Sequence, residues 1–469
     1  MRKAAKISIL FLLVAVILCG CDAQPAAVHT ARTETLPFVS DYAEPVQLSK
    51  PEAVELVKTK LTKNASKFIP VSEILGYQDL KTFIDWLEQK YGINILFALE
   101  DVVDANEEVT SEALRALTGY GAYALSDLFN GRLDPDSENY NKNIIDLGKT
   151  DDGIAEIGFV GDVSFAEGYS IMYKYDRAKK GVEGILDKRV IDIMKSMDIM
   201  VANNEFTLSE RGSPIPTKEY TFRGKPERVS IWHEMGVDLV SLANNHSYDY
   251  GLESFLDTLD TLDGAGIRRM GAGRNIDEAD DPIYYIVNGY KIAFCAATRA
   301  EKRVFTPKAG ENTPGVMYTY DTTDFCAEIA EAKKQSDFVV VYVHWGYEYT
   351  TMLESAQVKG AKAFIDSGAD VVIGVHAHIL QGIDSYKGKM IFYNLGNFIF
   401  NNKSIATGIL KLVIDADGKL NYRFIPCYQE NCFTRLSVGE EYYSILELLR
   451  SISSNVVIWD NGDVTVKAK

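Results

Sequence analysis

Five segments of the chain share one design: a short apolar, β-rich run that stops on a residue able to bind a metal. IAEIGFVG leads to Asp162, MDIMVANN to Glu205, VDLVSLA to the pair Asn245 and His246, DFVVVYV to His344, and ADVVIGV to His376 and His378. The chain has only six histidines, and four of them stand at these strand ends. In an open α/β sheet the ligand crevice lies outside the carboxyl ends of the strands, so repeated placement there gathers polar groups into one place. The pattern predicts a metal-dependent hydrolytic site.

Charge and the N-terminus narrow the setting. Arg2, Lys3 and Lys6 precede an apolar run from Ile7 to Leu18. That run is shorter than the roughly 20 residues needed to span a bilayer, and it reads as a secretory signal over residues 1–20. It ends on Leu18-Cys19-Gly20-Cys21, which resembles the bacterial lipobox, so Cys21 is the expected site of lipid attachment. Acyl chains contribute about 0.8 kcal/mol per buried methylene, enough in pairs to hold a protein on a membrane surface. The expected location is therefore the extracytoplasmic face of the bacterial membrane, through a lipid anchor. The formal net charge is −17, and loss of the signal removes basic residues only. Such a body argues against nucleic acid as a partner, because phosphate binding depends on clustered Lys and Arg. Cys295 lies in the apolar strand KIAFCAA and reads as a buried thiol; Cys427 and Cys432 are close enough in sequence to form a local disulfide outside the cytosol.

Residues 21–50 lack apolar periodicity and read as a tether. From 51 to 150 the pattern is helical, as in VSEILGYQDLKTFIDWLEQKYG and SEALRALTGYGAYALSDLF, and predicts a small accessory region. Over 151–469 the rhythm becomes strand, loop, helix. Strands are expected near 154–160, 198–202, 237–242, 291–297, 338–343, 370–375 and 389–394, with helices at GLESFLDTLDTLDGAG and SAQVKGAKAFIDSGA. A helix over 442–450 and an Asn-Gly hairpin in NVVIWDNGDVTVKA close the chain.

Taken singly, Gly161-Asp162 and Asn204-Glu205 read as turns as readily as ligands. Asn244-Asn245-His246 is more specific, since two amides and an imidazole directly after an apolar strand are costly without partners. In His376-Ala377-His378, an extended backbone would put both imidazoles on one face, within reach of one metal centre or two adjacent ones; satisfied core histidines are the alternative.

Together these motifs resemble the poly-γ-glutamate capsule-synthesis family called CapA or PgsA, itself similar to calcineurin-like metallophosphatases. The resemblance runs from about Ile157 to Pro426 through GDVSFAEG, NNEFTLSE, FRGKPE, GVDLVSLANNHSYDYG, MGAGRNIDEAD, VHWGYEY, GADVVIGVHAHILQGID and YNLGNFIF. It implies a layered α/β sandwich of the calcineurin-like metallophosphatase type, with the small helical region before it. It also implies roles. Asp162 holds a first metal, Glu205 bridges, Asn245, His344 and His376 complete a second site, and His378 returns to the first. His246 becomes the general acid or a transition-state hydrogen-bond donor. Asp249 either orients His246 or caps a helix. Arg223 in FRGKPE is a candidate clamp for an anionic group or a surface ion pair. The chain departs from the Asp-x-His opening of metallophosphatases, with Ser164 where the histidine stands, and from their second aspartate, with Glu205 in its place.

The implied cofactor is one or two divalent ions, with manganese, iron and zinc all suited to mixed nitrogen and oxygen ligands. Two functions follow: a membrane-tethered hydrolase acting on poly-γ-glutamate or another anionic envelope polymer, or a non-catalytic component that holds the polymer beside the membrane parts of a capsule synthase. An acidic body suits a polyanion only where basic residues or metal ions are concentrated at the groove.

Overall fold

The computed structural model describes residues 118–150, 153–300 and 304–468, with the isolated positions 89 and 115. The expected signal, lipidation site Cys21 and tether lie outside the described residues, as does most of the expected helical region. Among the described residues no helix is long and apolar enough to cross a membrane.

Two β-sheets carry the fold. In one, the strands run in the order Ile144–Asp146, Ile283–Val287, Tyr290–Thr298, Phe338–His344, Val371–Val375, Lys389–Phe392, Ile383–Tyr386. In the other, the order is Val456–Ile458, Asp463–Val466, Leu420–Glu430, Ile405–Ile414, Ala155–Val163, Ile199–Asn204, Leu239–Ser241, Arg268–Met270. The central strands of both sheets are parallel, so their carboxyl ends point the same way within each sheet. Parallel strands are covered on both faces, which explains why these segments read as unbroken apolar runs rather than alternating ones.

Alternation nevertheless decides which side chain goes where. Phe338, Val340 and Tyr342 pack with Ile157, Phe159, Val201, Phe294 and Leu412 in one buried cluster fed by both sheets. Val339, Val341 and Val343 pack instead with Phe325, Phe364 and Ala361 from the helices Thr323–Lys334 and Ser355–Asp366. The other sheet carries its own helical layer, with Leu259, Leu262, Ile231 and Met194 in a third cluster. The layers are helix, sheet, sheet, helix, the arrangement the resemblance implies.

Part of the sequence expected to be a separate helical region belongs to this domain. Tyr120, Ala124, Leu125 and Leu128, around the helix Ala122–Phe129, enter the same core as the Thr323–Lys334 helix. The strand Ile144–Asp146 then pairs with Ile283–Val287. A buried ion pair fastens the junction, with Lys291 Nζ 2.6 Å from Asp127 Oδ2. Cys427 and Cys432 are both free and buried, so the local disulfide does not form. The closing helix spans Gly439–Ile452 and the hairpin pairs Val456–Ile458 with Asp463–Val466.

Candidate metal centre

Each of the five strand ends delivers its polar residue to the gap between the sheets. Asp162, Glu205, Asn245 and His246 come from one sheet; His344, His376 and His378 come from the other. All seven are at most 6% exposed. Gly161 has a specific purpose, because a Cβ there would meet the carbonyl of Gly396 at 1.7 Å. The same carbonyl accepts from the Asp162 amide at 3.0 Å. The register shift between Phe159 and Asp162 is a local irregularity of the kind that re-aims a side chain at a site.

Two overlapping groups result. Ligand atoms of Glu205, His344 and His376 lie within 4.8 Å of one another, and so do those of Asp162, Glu205 and His378. Glu205 belongs to both, as a bridging carboxylate would. Asn245 joins the first group, its Oδ1 lying 2.7 Å from His344 Nε2. His378 Nδ1 lies 3.2 Å from Asp162 Oδ2 and 2.7 Å from Asn397 Oδ1. Donor atoms sharing one ion at bond lengths of about 2.0–2.2 Å sit about 3–3.5 Å apart, so these separations are close to those of a coordination shell.

The histidine pair reaches its place by a route the sequence does not announce. His376 and His378 have φ of 98° and 59°, so the segment is a bend in left-handed backbone rather than an extended strand. Its two rings stand 5.9 Å apart and serve different groups. Such conformations cost about 1–3 kcal/mol each and persist where the surroundings hold them. One holding contact is plain: the His376 amide donates to both oxygens of Asp162 at 3.2 Å.

Electrostatics leave the groups poised for a cation. Burial and the adjacent Asp162 carboxylate push Glu205 well above the usual carboxylate range. Burial and the neighbouring imidazoles lower His344 far below its ordinary value, and burial with His378 lowers His376 to about 3. Both rings are thus neutral, the form that binds metal. Glu205 Oε1 and His376 Nδ1 are buried without a hydrogen-bond partner. Orphaned buried acceptors of this kind are costly unless something fills the space between them. The donor set of carboxylate, amide oxygen and imidazole fits a divalent manganese, iron or zinc ion. The group around Asp162 is the poorer one, since Ser164 supplies no imidazole, and its buried Oγ has no partner.

Beside the metal ligands stands a fixed imidazole. His246 Nδ1 lies 2.7 Å from Asp249 Oδ2, and its Nε2 faces Glu205 Oε1 at 3.9 Å. Asp249 orients the ring and caps nothing: Tyr250 is the N-cap of the helix Gly251–Gly264, without a side-chain cap bond. The Asp249 carboxylate also accepts from the Phe222 amide at 2.6 Å and from Lys218 Nζ at 2.7 Å. Phe222 packs its ring 4.3 Å from that of His246.

Arg223 is turned elsewhere. Its Nη1 donates to the carbonyls of Arg211 and Gly212 at 3.1 and 3.3 Å, and the guanidinium lies 4.0 Å over Tyr250. The cation built into the site is Lys218, 4% exposed, which sequence reasoning missed. Asn203 and Asn397 were missed as well, whereas Asn244 belongs to the Asn244-Asn245-His246 motif. Asn203 Nδ2 donates to Asp162 Oδ1 at 2.8 Å and lies 3.2 Å from both Glu205 Oε2 and His344 Nδ1. Asn244 donates to Asn203 Oδ1 at 3.0 Å and accepts from the His246 amide at 2.9 Å. Asn397 holds His378. Asn203 stands beside Glu205 in NNEF, and Asn397 sits in LGNFIF, so the signal was present in motifs whose other residues drew the attention.

The layered sandwich and the crevice between its sheets define a calcineurin-like α/β protein. The chain belongs to a family within that class, described as bacterial capsule synthesis protein PGA_cap, which it matches over residues 156–402. Among curated relatives, it is 34% identical over 252 residues to the PGA biosynthesis protein CapA of Bacillus subtilis (strain 168), covering 53% of this chain and 64% of that one. It is 33% identical over 221 residues to the capsule biosynthesis protein CapA of Bacillus anthracis, covering 46% and 53%. A probable polyglutamine synthesis accessory protein of Mycobacterium tuberculosis is 28% identical over 217 residues, covering 45% and 57%. The match spans less than two thirds of the length of each of these relatives.

Proposed function

We propose that the protein is a metal-dependent hydrolase of capsule synthesis, acting on poly-γ-glutamate or another anionic envelope polymer at the outer face of the membrane. The observation that carries this reading is Glu205 shared between two buried ligand groups with an oriented imidazole, His246, beside them. Divalent ions bound there would polarise a scissile group and activate water. The chain supplies the rest. Lys218 and the Phe222 amide hold the Asp249 carboxylate, which in turn holds the His246 ring with Nε2 on the side of Glu205, where it can give a proton to a leaving group. Asn203 keeps the carboxylates of one sheet in register with His344 of the other.

The polymer comes from the printed roles of the relatives in PGA and capsule biosynthesis, and with it capsule synthase membrane components as partners. The lipidation motif at Cys21 supplies the tether. Ser164 favours a second reading, a non-catalytic component that holds the polymer, because it weakens one of the two groups.

Elemental analysis of the purified protein, followed by a panel of phosphoester and γ-glutamyl substrates, tests the proposal. Wild type should bind metal and turn over at least one substrate. His246→Ala should keep its metal and lose about 10² to 10⁴ in rate. Stoichiometric metal with no turnover across the panel would transfer the case to the holding component.

A further inference from the structure

The metal crevice occupies the carboxyl ends of the parallel strands; a cleft of about 850 Å³ lies at their opposite ends. It is lined by the beginnings of three of them, at Glu156, Phe338 and Lys389, and by the turn that joins Ile405–Ile414 to Leu420–Glu430. Its volume is that of a typical ligand site.

Four cations line this cleft, Lys389, Lys411, Lys419 and Arg423, against two acids, Glu156 and Asp463. In a chain of net charge −17 this wall runs against the average. The two acids are already matched, Glu156 by Lys411 and Asp463 by Arg423 at 2.6 Å. Lys389 reaches Asp370, which is not part of the lining and is shared with Lys333 at 2.9 Å. Lys419 is exposed and has no ion-pair partner among the described residues. The lining thus carries four cations to two acids, and Val413, Leu420, Tyr422 and Val466 give it apolar surface as well.

We infer that this cleft is a second binding site, independent of metal, for a segment of carboxylate-bearing polymer. The chemistry to be matched is a chain with methylenes for the apolar lining and pendant carboxylates for Lys389, Lys419 and the paired cations. An acidic body can hold a polyanion only where positive charge is concentrated, and the cleft meets that condition at a distance from the ligand groups. The choice of a γ-glutamyl chain as that polymer rests on the capsule reading above; the binding site itself does not depend on hydrolysis.

The test uses the full chain and a fluorescent γ-glutamyl decamer, with binding followed by anisotropy in the presence of a chelator. Saturable binding is expected, weakening as salt rises from about 50 to 300 mM because exposed charges are screened. Lys389→Glu with Lys419→Glu should weaken it by about tenfold or more, and Lys419→Glu alone by roughly threefold. Lys419→Glu breaks no ion pair, so its melting temperature should match wild type and its affinity can be read directly. His376→Ala should bind the decamer as wild type does. Retained affinity in both charge-reversed variants, loss of binding in His376→Ala, or no saturable binding at all would each overturn the inference. The capsule-hydrolase reading fails separately, by absent metal or absent turnover.

Discussion

The main-chain N–H of His376 donates to both carboxylate oxygens of Asp162 at 3.2 Å, so the end of one sheet is fastened to the end of the other through a metal-ligand candidate. The same carboxylate raises the pKa of Glu205. Asp162 thus holds the site together and, without a cation, loads it with like charge. Asp162→Asn keeps an oxygen for the His376 amide and removes the charge. Its metal-free form should melt at the same temperature as wild type or higher, and the gain in melting temperature on adding manganese should largely vanish. A metal-free variant less stable by more than about 1 kcal/mol would mean that the hydrogen bonds outweigh the repulsion.

Proton release follows from the same charges. Glu205 titrates above its ordinary value in the folded protein, so over that window the folded state holds a proton the unfolded state lacks. Its contribution to stability is therefore lost as pH rises through the folded pKa. His344 and His376 are depressed, so they stay neutral when folded, and stability falls as pH drops below the ordinary imidazole value and the unfolded chain takes up protons. The depressed imidazoles have no proton to give up to an incoming ion over the range where Glu205, raised above its ordinary value, still holds one. Calorimetric metal titrations in buffers of differing ionisation enthalpy, repeated across pH, should show proton release that grows toward lower pH and levels off at about one proton per protein. Release of about three would mean that both rings are protonated before metal enters.

Much of this site could be read before the fold was known, because apolar runs ending on Asp, Glu, Asn and His are a one-dimensional pattern. Both faces of a central parallel strand are buried, so the run from Phe338 to Val343 is unbroken and His344 at its end is conspicuous. The bend at His376 and His378 was not legible, since an X-Ala-X pattern fits an extended strand equally well and left-handed backbone is imposed by contacts from Asp162 and Asn397. Nor was the exchange of Lys218 for Arg223. Both are cations near a site motif, and only packing shows that Tyr250 and two carbonyls engage the arginine while Asp249 receives the lysine. The long hairpin Ile405–Ile414 to Leu420–Glu430 went unnoticed because it carries no ligand.

The buried pair of Lys291 and Asp127 gives a prediction away from the site. Both side chains are 1% exposed, and burial lowers the lysine pKa while Asp127 opposes that shift. Asp127→Asn should cost about 3–5 kcal/mol near neutral pH, because it leaves a buried cation without its carboxylate. A lysine depressed in the folded state costs most below its folded pKa, where the buried group is charged, and that cost shrinks as pH rises from the folded pKa to the unfolded one, because over that window only the unfolded chain holds the proton. The sign is therefore fixed: the penalty of Asp127→Asn should be smaller at pH 9 to 10 than at pH 7, by about 1 kcal/mol or more. Denaturant melts at the two pH values measure it, and a penalty that grows with pH would show that Lys291 is not the group responsible.

Ser164 offers a gain-of-function test. It stands two residues after Asp162, its amide is fixed by the carbonyl of Ile399 at 2.8 Å, and its buried hydroxyl has no partner. The group of Asp162, Glu205 and His378 has two carboxylates and one imidazole, and Ser164→His would offer it a second imidazole. Enlarging a buried side chain costs about 1–3 kcal/mol, so the metal-free variant should melt earlier than wild type. With metal present the order should reverse, and the ratio of metal to protein retained after desalting should rise. Ser164→Ala, which removes the hydroxyl without adding bulk, should leave that ratio unchanged. A folded Ser164→His with wild-type metal content would show that this position does not face the ligand group, and the weakness of that group would need another cause.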